Sequence, residues 1–331
     1  TGVQTCALPI CEIPQSANQS FANLHSEELM EYPLVTVNIL SFNRKEELRH
    51  TLTKVFEQDY KNMEVIVVDN ASTDGSAEMV EQEFPKVILI KLEKNIGIAG
   101  WNKGFEIAKG EYVLVLDDDS YPDINTIQRG VLVMDSNPSI GAVAYNILNL
   151  RYNKSETEGF LDNPYFFNGC GALIRRVIFE SIGYYSELIF IYYNELEFCA
   201  RLYDCGYKVK YLKDTVCFHN QSLGSRGYLK VGENPFNSEY RFYHYFISYS
   251  VFLLLRINVY HCVLYLLKWF INRSIIATQN VYMKTSFKAI YFIVSRLIIV
   301  IRHRKAVSIK VQKFYNFGNI PLIEYADRKA N

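Results

Sequence analysis

Three consecutive carboxylates, Asp117, Asp118 and Asp119, follow the apolar run YVLVL at 112–116. Like charges crowded at a strand end are costly unless a cation or hydrogen-bond donors neutralise them. A hard divalent cation takes oxygen ligands, and Mg²⁺ typically uses one or two carboxylates together with substrate phosphates. The triplet therefore reads as a metal–diphosphate site. The competing reading is a solvated acidic loop capping a helix that starts near Pro122. Other groups with chemistry sit in comparable places. Asn43 and Asp69 each end an apolar run, and His219 closes another. Glu195 and Glu197 open a helical segment, where exposed acids are favoured by the helix dipole.

The elements that must carry these residues alternate. LVTVNIL (34–40), VIVV (65–68), VILIKL (87–92) and YVLVL read as buried strands. Between them, Leu48, Leu52, Val55 and Phe56 recur at helical spacing, and so do Ala77, Val80 and Phe84. A third helix is expected over 95–109 with Gly110 as its cap. Strands alternating with helices mean βαβ units and a mostly parallel sheet. Ligands of such sheets sit outside the carboxyl ends of the strands, where Asn43, Asp69 and the Asp triplet all fall. Further on, strands are expected at 141–147 and 168–175, a mobile-looking stretch at 150–164, a helix at 194–205, and two short strands ending at His219.

Of 331 residues, 49 % are hydrophobic and 21 % charged, which excludes wholesale disorder. No G-x-G-x-x-G follows the first strand and no G-x-x-x-x-G-K-[ST] occurs, which disfavours dinucleotide dehydrogenases and P-loop NTPases. The seven cysteines form no CxxC pair and are odd in number, so neither a zinc site nor a disulfide framework is expected, and free thiols suit a reducing cytoplasm. Residues 1–31 read as a loose leader, and the first ten, TGVQTCALPI, as translated adapter sequence.

In order along the chain stand SFNR, VVDNASTDGS, NIGIAGWNKG, LDDDS, NGCGALIRR, IYYNELEFCARLYDCGY and VCFHN. Together, over 34–225, they resemble the family 2 inverting glycosyltransferases of the GT-A fold, in the rhamnosyltransferase-like branch. The resemblance implies an α/β catalytic domain at 32–239 with a nucleotide-sugar cleft. It places Asp69 on the base or ribose, with Ser41, Phe42 and Asn43 completing the nucleoside wall and Asn95, Gly97 and Asn102 lining the cleft. Gly169 would let a ligand approach the backbone. Asp117 and Asp119 match the D-x-D pair, Asp119 being the direct ligand of Mn²⁺ or Mg²⁺, His219 a further ligand, and Asp118 turned away or toward ribose. The family's Glu-Asp pair is Asn194-Glu195 here, which puts the general base on Glu195, one methylene longer than usual. Trp101 stands where the family often has a small residue. It either stacks on a base or sugar or fills a gap against the sheet.

The resemblance also implies single-displacement transfer from a UDP- or dTDP-linked sugar to a hydroxyl of a surface glycan or lipid-linked acceptor. Two alternatives remain open. A sugar nucleotidyltransferase would carry a Gly-rich basic loop after the first strand, and SFNRKEEL has no glycine. A non-catalytic nucleotide-sugar-binding subunit is kept open by the Asn194-Glu195 departure.

The chain changes character at residue 240. Beyond it lie 14 of the 35 Lys/Arg and two of the 35 Asp/Glu, Glu324 and Asp327, leaving net charges of −12 before and +12 after. Apolar runs at 245–255, 257–267 and 287–301 are interrupted by Lys or Arg before reaching the 18 or so residues of a spanning helix. Apolar helix faces with basic and aromatic borders suit a membrane interface, and peripheral contact at the inner face of the cell membrane is expected. The plain alternatives are helices packed on the catalytic sheet or a protein-partner surface. Nucleic acid is not expected, because the basic residues are scattered through apolar segments rather than along a polar stripe.

Overall fold

The computed structural model describes residues 32–221 and 238–315. The expected leader, Glu324 and Asp327 lie outside the described residues.

The first half alternates as its periodicity requires: β1 (Val35–Ser41), α1 (Lys45–Phe56), β2 (Met63–Asp69), α2 (Ser76–Glu83), β3 (Ile88–Lys91), a 3₁₀ turn (Gly97–Gly100), α3 (Trp101–Ile107) and β4 (Tyr112–Asp117). The second half comprises β5 (Ser120–Pro122), α4 (Thr126–Ser136), β6 (Ile140–Asn149), β7 (Lys154–Ser155), β8 (Ala172–Arg175), α5 (Val177–Ile182), α6 (Asn194–Asp204) and β9 (Lys208–His219). Four helices follow: α7 (Glu239–Arg256), α8 (Val259–Gln279), α9 (Met283–Arg302) and α10 (Ile309–Tyr315).

One sheet runs β3-β2-β1-β4-β8-β6-β9-β5, with β7 beside β6. Strand alternation sends Val65 and Val67 to one face with Leu48, Leu52 and Val80, and Ile66 and Val68 to the other with Trp101 and Phe105. The mostly parallel sheet holds for β1 to β4. Beyond β4 the sheet is mixed, because β8 runs antiparallel to both β4 and β6.

Several expectations are corrected. Pro122 ends β5 rather than opening a helix, and α4 starts at Thr126. The two short strands before His219 are one strand, β9, whose register slips between Tyr145/Leu212 and Asn146/Val216. The third helix stops at Ile107 instead of reaching a cap at Gly110. Gly110 packs against the β1 backbone, where a Cβ would stand 2.4 Å from the Thr36 nitrogen. The 150–164 stretch is anchored by Thr157, which is buried, accepts from the Ile147 amide and bonds the Tyr211 hydroxyl, and by Glu156, which meets His219.

The helical layer is not separate from the sheet. α6 sends Phe198, Cys199 and Leu202 into the sheet core, and Leu196 and Ala200 into a second core with Phe242, Phe246 and Phe252 of α7.

Candidate active site

Parallel pairing puts the ends of β1, β2 and β4 side by side: Ser41 is in register with Asp69, and Leu40 with Asp117. Asp69 accepts from the Ser72 amide through Oδ2 (3.1 Å), while its Oδ1 and the Ser41 hydroxyl are buried with no hydrogen-bond partner among the described residues. A buried acceptor left open is costly, so this corner is set for a donor from a ligand. Asn43, at φ 53°, bridges to the β2–α2 loop: its amide donates to Ser72 Oγ and its Oδ1 accepts from the Thr73 amide.

The triplet divides its labour. Asp118 is buried, accepting from the Phe42 amide (3.1 Å) and pairing with Arg44 (3.4 Å). Its side chain is therefore turned to the β1–α1 loop. Asp119, also buried, binds the same Arg44 Nη1 through Oδ2. Its Oδ1 faces His219 Nε2 at 3.4 Å. That meeting across 100 positions follows from β5 pairing with β9, which sets Ser120 opposite His219. Asp117 points elsewhere, its Oδ2 accepting from the Cys170 thiol at 3.2 Å.

His219 Nδ1 lies 2.7 Å from Glu156 Oε1. Burial works against a charge on the ring, yet Cys170 and Asp119 outweigh it and push the imidazole well above its ordinary pKa. Burial would likewise raise Glu156, but its contacts with His219 hold the carboxyl below its ordinary range.

A divalent cation is implied by the resemblance. Asp119 Oδ1 and His219 Nε2 lie 3.4 Å apart, and an oxygen and a nitrogen of that kind fit as two ligands. Among the described residues no three His, Cys, Asp or Glu groups are arranged to hold a metal ion, and Asp117 turns to Cys170 instead of completing the set that the resemblance implied. The remaining positions would fall to phosphate and water, as is usual for Mg²⁺.

Glu195 is the second residue of α6. Its Oε1 lies over Gly169, where an added Cβ would come within 2.7 Å, and the same glycine lies under the Trp101 ring. Desolvation raises the Glu195 carboxyl to about 7, and Asp117 pushes the same way against the backbone N–H groups of Glu195 and Gly169. A carboxyl tuned near neutrality is what proton abstraction from a hydroxyl requires. Trp101 is buried and its Nε1 donates to the Leu116 carbonyl, so it fills the gap against the sheet.

Other expected residues serve as braces. Asn102 spends its amide on the Tyr185 backbone in both directions (2.9 and 3.0 Å), so it does not line the cleft as expected. Asn95 turns onto the Gly97 amide, and Gly97, at φ +70°, packs against the Phe190 carbonyl. Arg201 makes an ion pair within α6, with Glu197. Cys170 and Cys199 are buried free thiols.

Sequence reasoning missed Arg44, Glu156 and Asn70. Arg44 stood within SFNR and was given no role, although a triplet of acids calls for a counter-charge. Asn70 follows Asp69 directly and clasps the turn before α3, accepting from Ile96 and donating to Gly97. Nothing local marked Glu156.

The chain matches the family model for glycosyl transferase family 2 over residues 36–201. It is 26 % identical over 203 residues to glycosyltransferase GlyA of Streptococcus pneumoniae, covering 59 % of this chain and 27 % of that protein. It is 36 % identical over 105 residues to the Escherichia coli UDP-Glc:alpha-D-GlcNAc-diphosphoundecaprenol beta-1,3-glucosyltransferase WfaP, covering 31 % and 42 %. The chain thus spans less than half the length of these relatives. Among solved structures, S. aureus TarS 1-349 in complex with UDP-GlcNAc aligns with a TM-score of 0.52 at 19 % identity, covering 66 % of each chain. The mannosyltransferase PcManGT of Pyrobaculum calidifontis, in complex with GDP-Man and Mn2+, aligns at 0.51 and 19 %, covering 87 % and 80 %. At that identity the likeness speaks for the GT-A fold. With half of its length matched by the family model, the chain belongs to glycosyl transferase family 2.

Proposed function

We propose that the chain is an inverting, metal-dependent glycosyltransferase that moves a sugar from a UDP- or dTDP-linked donor to a hydroxyl of a surface-glycan or lipid-linked acceptor. The observation that carries this is two unlike carboxylate environments joined through the triplet. Asp118 and Asp119 are charge-compensated by Arg44 at the β4 rim. Glu195, buried and held near a pKa of 7, is close enough to Asp117 for that carboxylate to raise it.

Asp69, Ser41, Phe42 and Asn43 form the nucleoside corner, the two unpartnered oxygens supplying acceptors. Asp119 and His219 would hold a divalent cation, which when bound stabilises the charge developing on the departing diphosphate. Glu195 takes the proton from the acceptor hydroxyl. That oxygen attacks the anomeric carbon from the side opposite the leaving group, so configuration inverts, and the nucleoside diphosphate departs with the bonding pair.

The catalytic region is taken as 32–239 and the basic C-terminal region as 240–331, of which 316–331 lie outside the described residues. Among the described residues no helix is long and apolar enough to cross a membrane. Yet α8 and α9 turn large apolar side chains outward at helical spacing: Leu267, Ile271 and Ile275, then Phe287, Tyr291 and Ile298, the last three 66–76 % exposed. Lys268, Lys284, Lys288, Arg296 and Arg302 are exposed around them, and residues 240–320 contain no acid. That combination supports peripheral contact with anionic lipid at the inner membrane face, where a lipid-linked acceptor would be found.

The test is turnover of UDP- and dTDP-sugars with and without EDTA, with product analysis. Nucleoside diphosphate that fails to form under EDTA is the expected result. Pyrophosphate as the product would instead indicate nucleotidyl transfer, and unchanged rates under EDTA would remove the metal requirement. Co-sedimentation with phosphatidylglycerol vesicles, absent with phosphatidylcholine alone, checks the membrane face.

A further inference from the structure

The turn that delivers Glu195 is held in a conformation its own residues disfavour. Tyr192 and Tyr193 adopt φ of 65° and 60° in succession, immediately before Asn194 starts α6. L side chains enter this left-handed region rarely, and two adjacent bulky residues do so only where their surroundings over-determine it.

The surroundings here come from one stripe of α7. The Tyr192 ring stacks on Tyr245, centroids 4.2 Å apart and planes 2° from parallel. Arg241 lies over the same ring at 5.6 Å and donates from Nε to the Tyr192 hydroxyl (3.3 Å). Tyr193 packs edge-on to Tyr245 and against Tyr249. The Ser248 hydroxyl donates to the Ile191 carbonyl at 2.6 Å. Two residues beyond Glu195, the buried Glu197 carboxylate receives Arg256 Nε at 2.6 Å and Arg201 Nη2 at 2.7 Å. Residues 241, 245, 248, 249 and 256 fall at helical spacing on one face of α7, so a single helix grips the segment 191–197 along its length.

We propose that α7 is a positioning clamp for the general base: Tyr245, with Ser248 and Arg256, holds the strained Tyr192–Tyr193 turn so that the Glu195 carboxylate lies over Gly169. The helical region is then part of the catalytic apparatus and not only an attachment surface. The inference rests on the reading of Glu195 as the proton acceptor.

The experiment compares full-length Tyr245→Ala, Tyr245→Phe and Ser248→Ala with the parent chain. Amide hydrogen exchange is followed over residues 188–198, together with turnover of UDP-glucose, UDP-GlcNAc and dTDP-rhamnose to nucleoside diphosphate. Tyr245→Ala is expected to raise exchange in that segment at least tenfold while β1–β4 peptides are unchanged. It should also lower kcat about 10–100-fold, the usual cost of a misplaced catalytic group, with the donor KM within about twofold. Tyr245→Phe keeps the stacked ring and should behave as the parent; Ser248→Ala should be intermediate. Unchanged exchange in Tyr245→Ala overturns the clamp, as does a loosened turn with parental kcat. A KM and melting temperature that fall together with kcat would assign α7 a merely structural role and overturn it as well. Should the parent turn over none of the three donors, the glycosyl-transfer reading fails there, and exchange alone decides whether α7 clamps the turn.

Discussion

At the rim of β4, Asp118 and Asp119 are buried against a guanidinium, whereas at the start of α6 Glu195 meets backbone N–H groups and a carboxylate neighbour. Both regions remove acids from water, and they do so to opposite ends. Two residues past Glu195, Glu197 is buried as well. Desolvation would raise its pKa, but Arg201 and Arg256 hold it below the ordinary range. Acids of the same type on the same helix turn therefore differ in charge near neutrality because of what faces them. The lesson is that burial alone does not set a carboxyl's charge. Burial without a paired cation raises Glu195 toward neutrality, whereas burial against two guanidinium groups keeps Glu197 low.

The contrast can be broken most directly at Glu195. Glu195→Gln keeps the shape and removes the proton acceptor, so turnover should fall about 10²–10⁴-fold with donor affinity retained. Nucleoside diphosphate release measures the first and calorimetric titration the second. Parental turnover would mean that the two regions do not differ in kind.

Asp119→Asn attacks the other side. It leaves Arg44 buried with part of its counter-charge gone, and breaking a buried pair costs about 3–5 kcal/mol. Urea denaturation should show that loss, and adding Arg44→Met should deepen it, because Asp118 then loses its cation too. A loss of under 1 kcal/mol would mean that the rim is more solvated than its burial indicates.

Gly169→Ala sharpens the comparison by moving only the base. A Cβ within 2.7 Å of Glu195 Oε1 must displace the carboxylate. A fall of about 10–100-fold in kcat with an unchanged melting temperature is expected.

The mildest probe is pH. The base must be ionised to accept a proton, and its pKa is raised to about 7. Turnover should therefore fall about tenfold per unit below pH 7 and level off above it. A limb centred near 4.5 instead would mark a carboxylate in contact with bulk water.

The elements that carry the site were largely legible. LVTVNIL, VIVV and YVLVL are apolar and β-branched enough to read as buried parallel strands, and each is followed by a polar residue that the parallel register sets beside its neighbours. β5 was not legible. Its three residues carry no period, and the strand exists only because β9 pairs with it. The mixed second half of the sheet was equally hidden, since strand direction depends on how a long connection returns and not on composition.

The sequence by itself determined which residue types were available: three acids at a strand end, an acid opening a helix, a histidine closing a strand, and glycines where a backbone must come close. Tertiary structure decided their partners. Arg44 reaches Asp118 and Asp119 across more than 70 positions, His219 meets Asp119 through a strand ladder, and Asn102 is spent on Tyr185 instead of the cleft. Local pattern encodes solvent preference and period. Which two buried polar groups face each other is set by register, bulges and backbone angles such as those of Tyr192 and Tyr193, and these exist only once the sheet and α7 have packed.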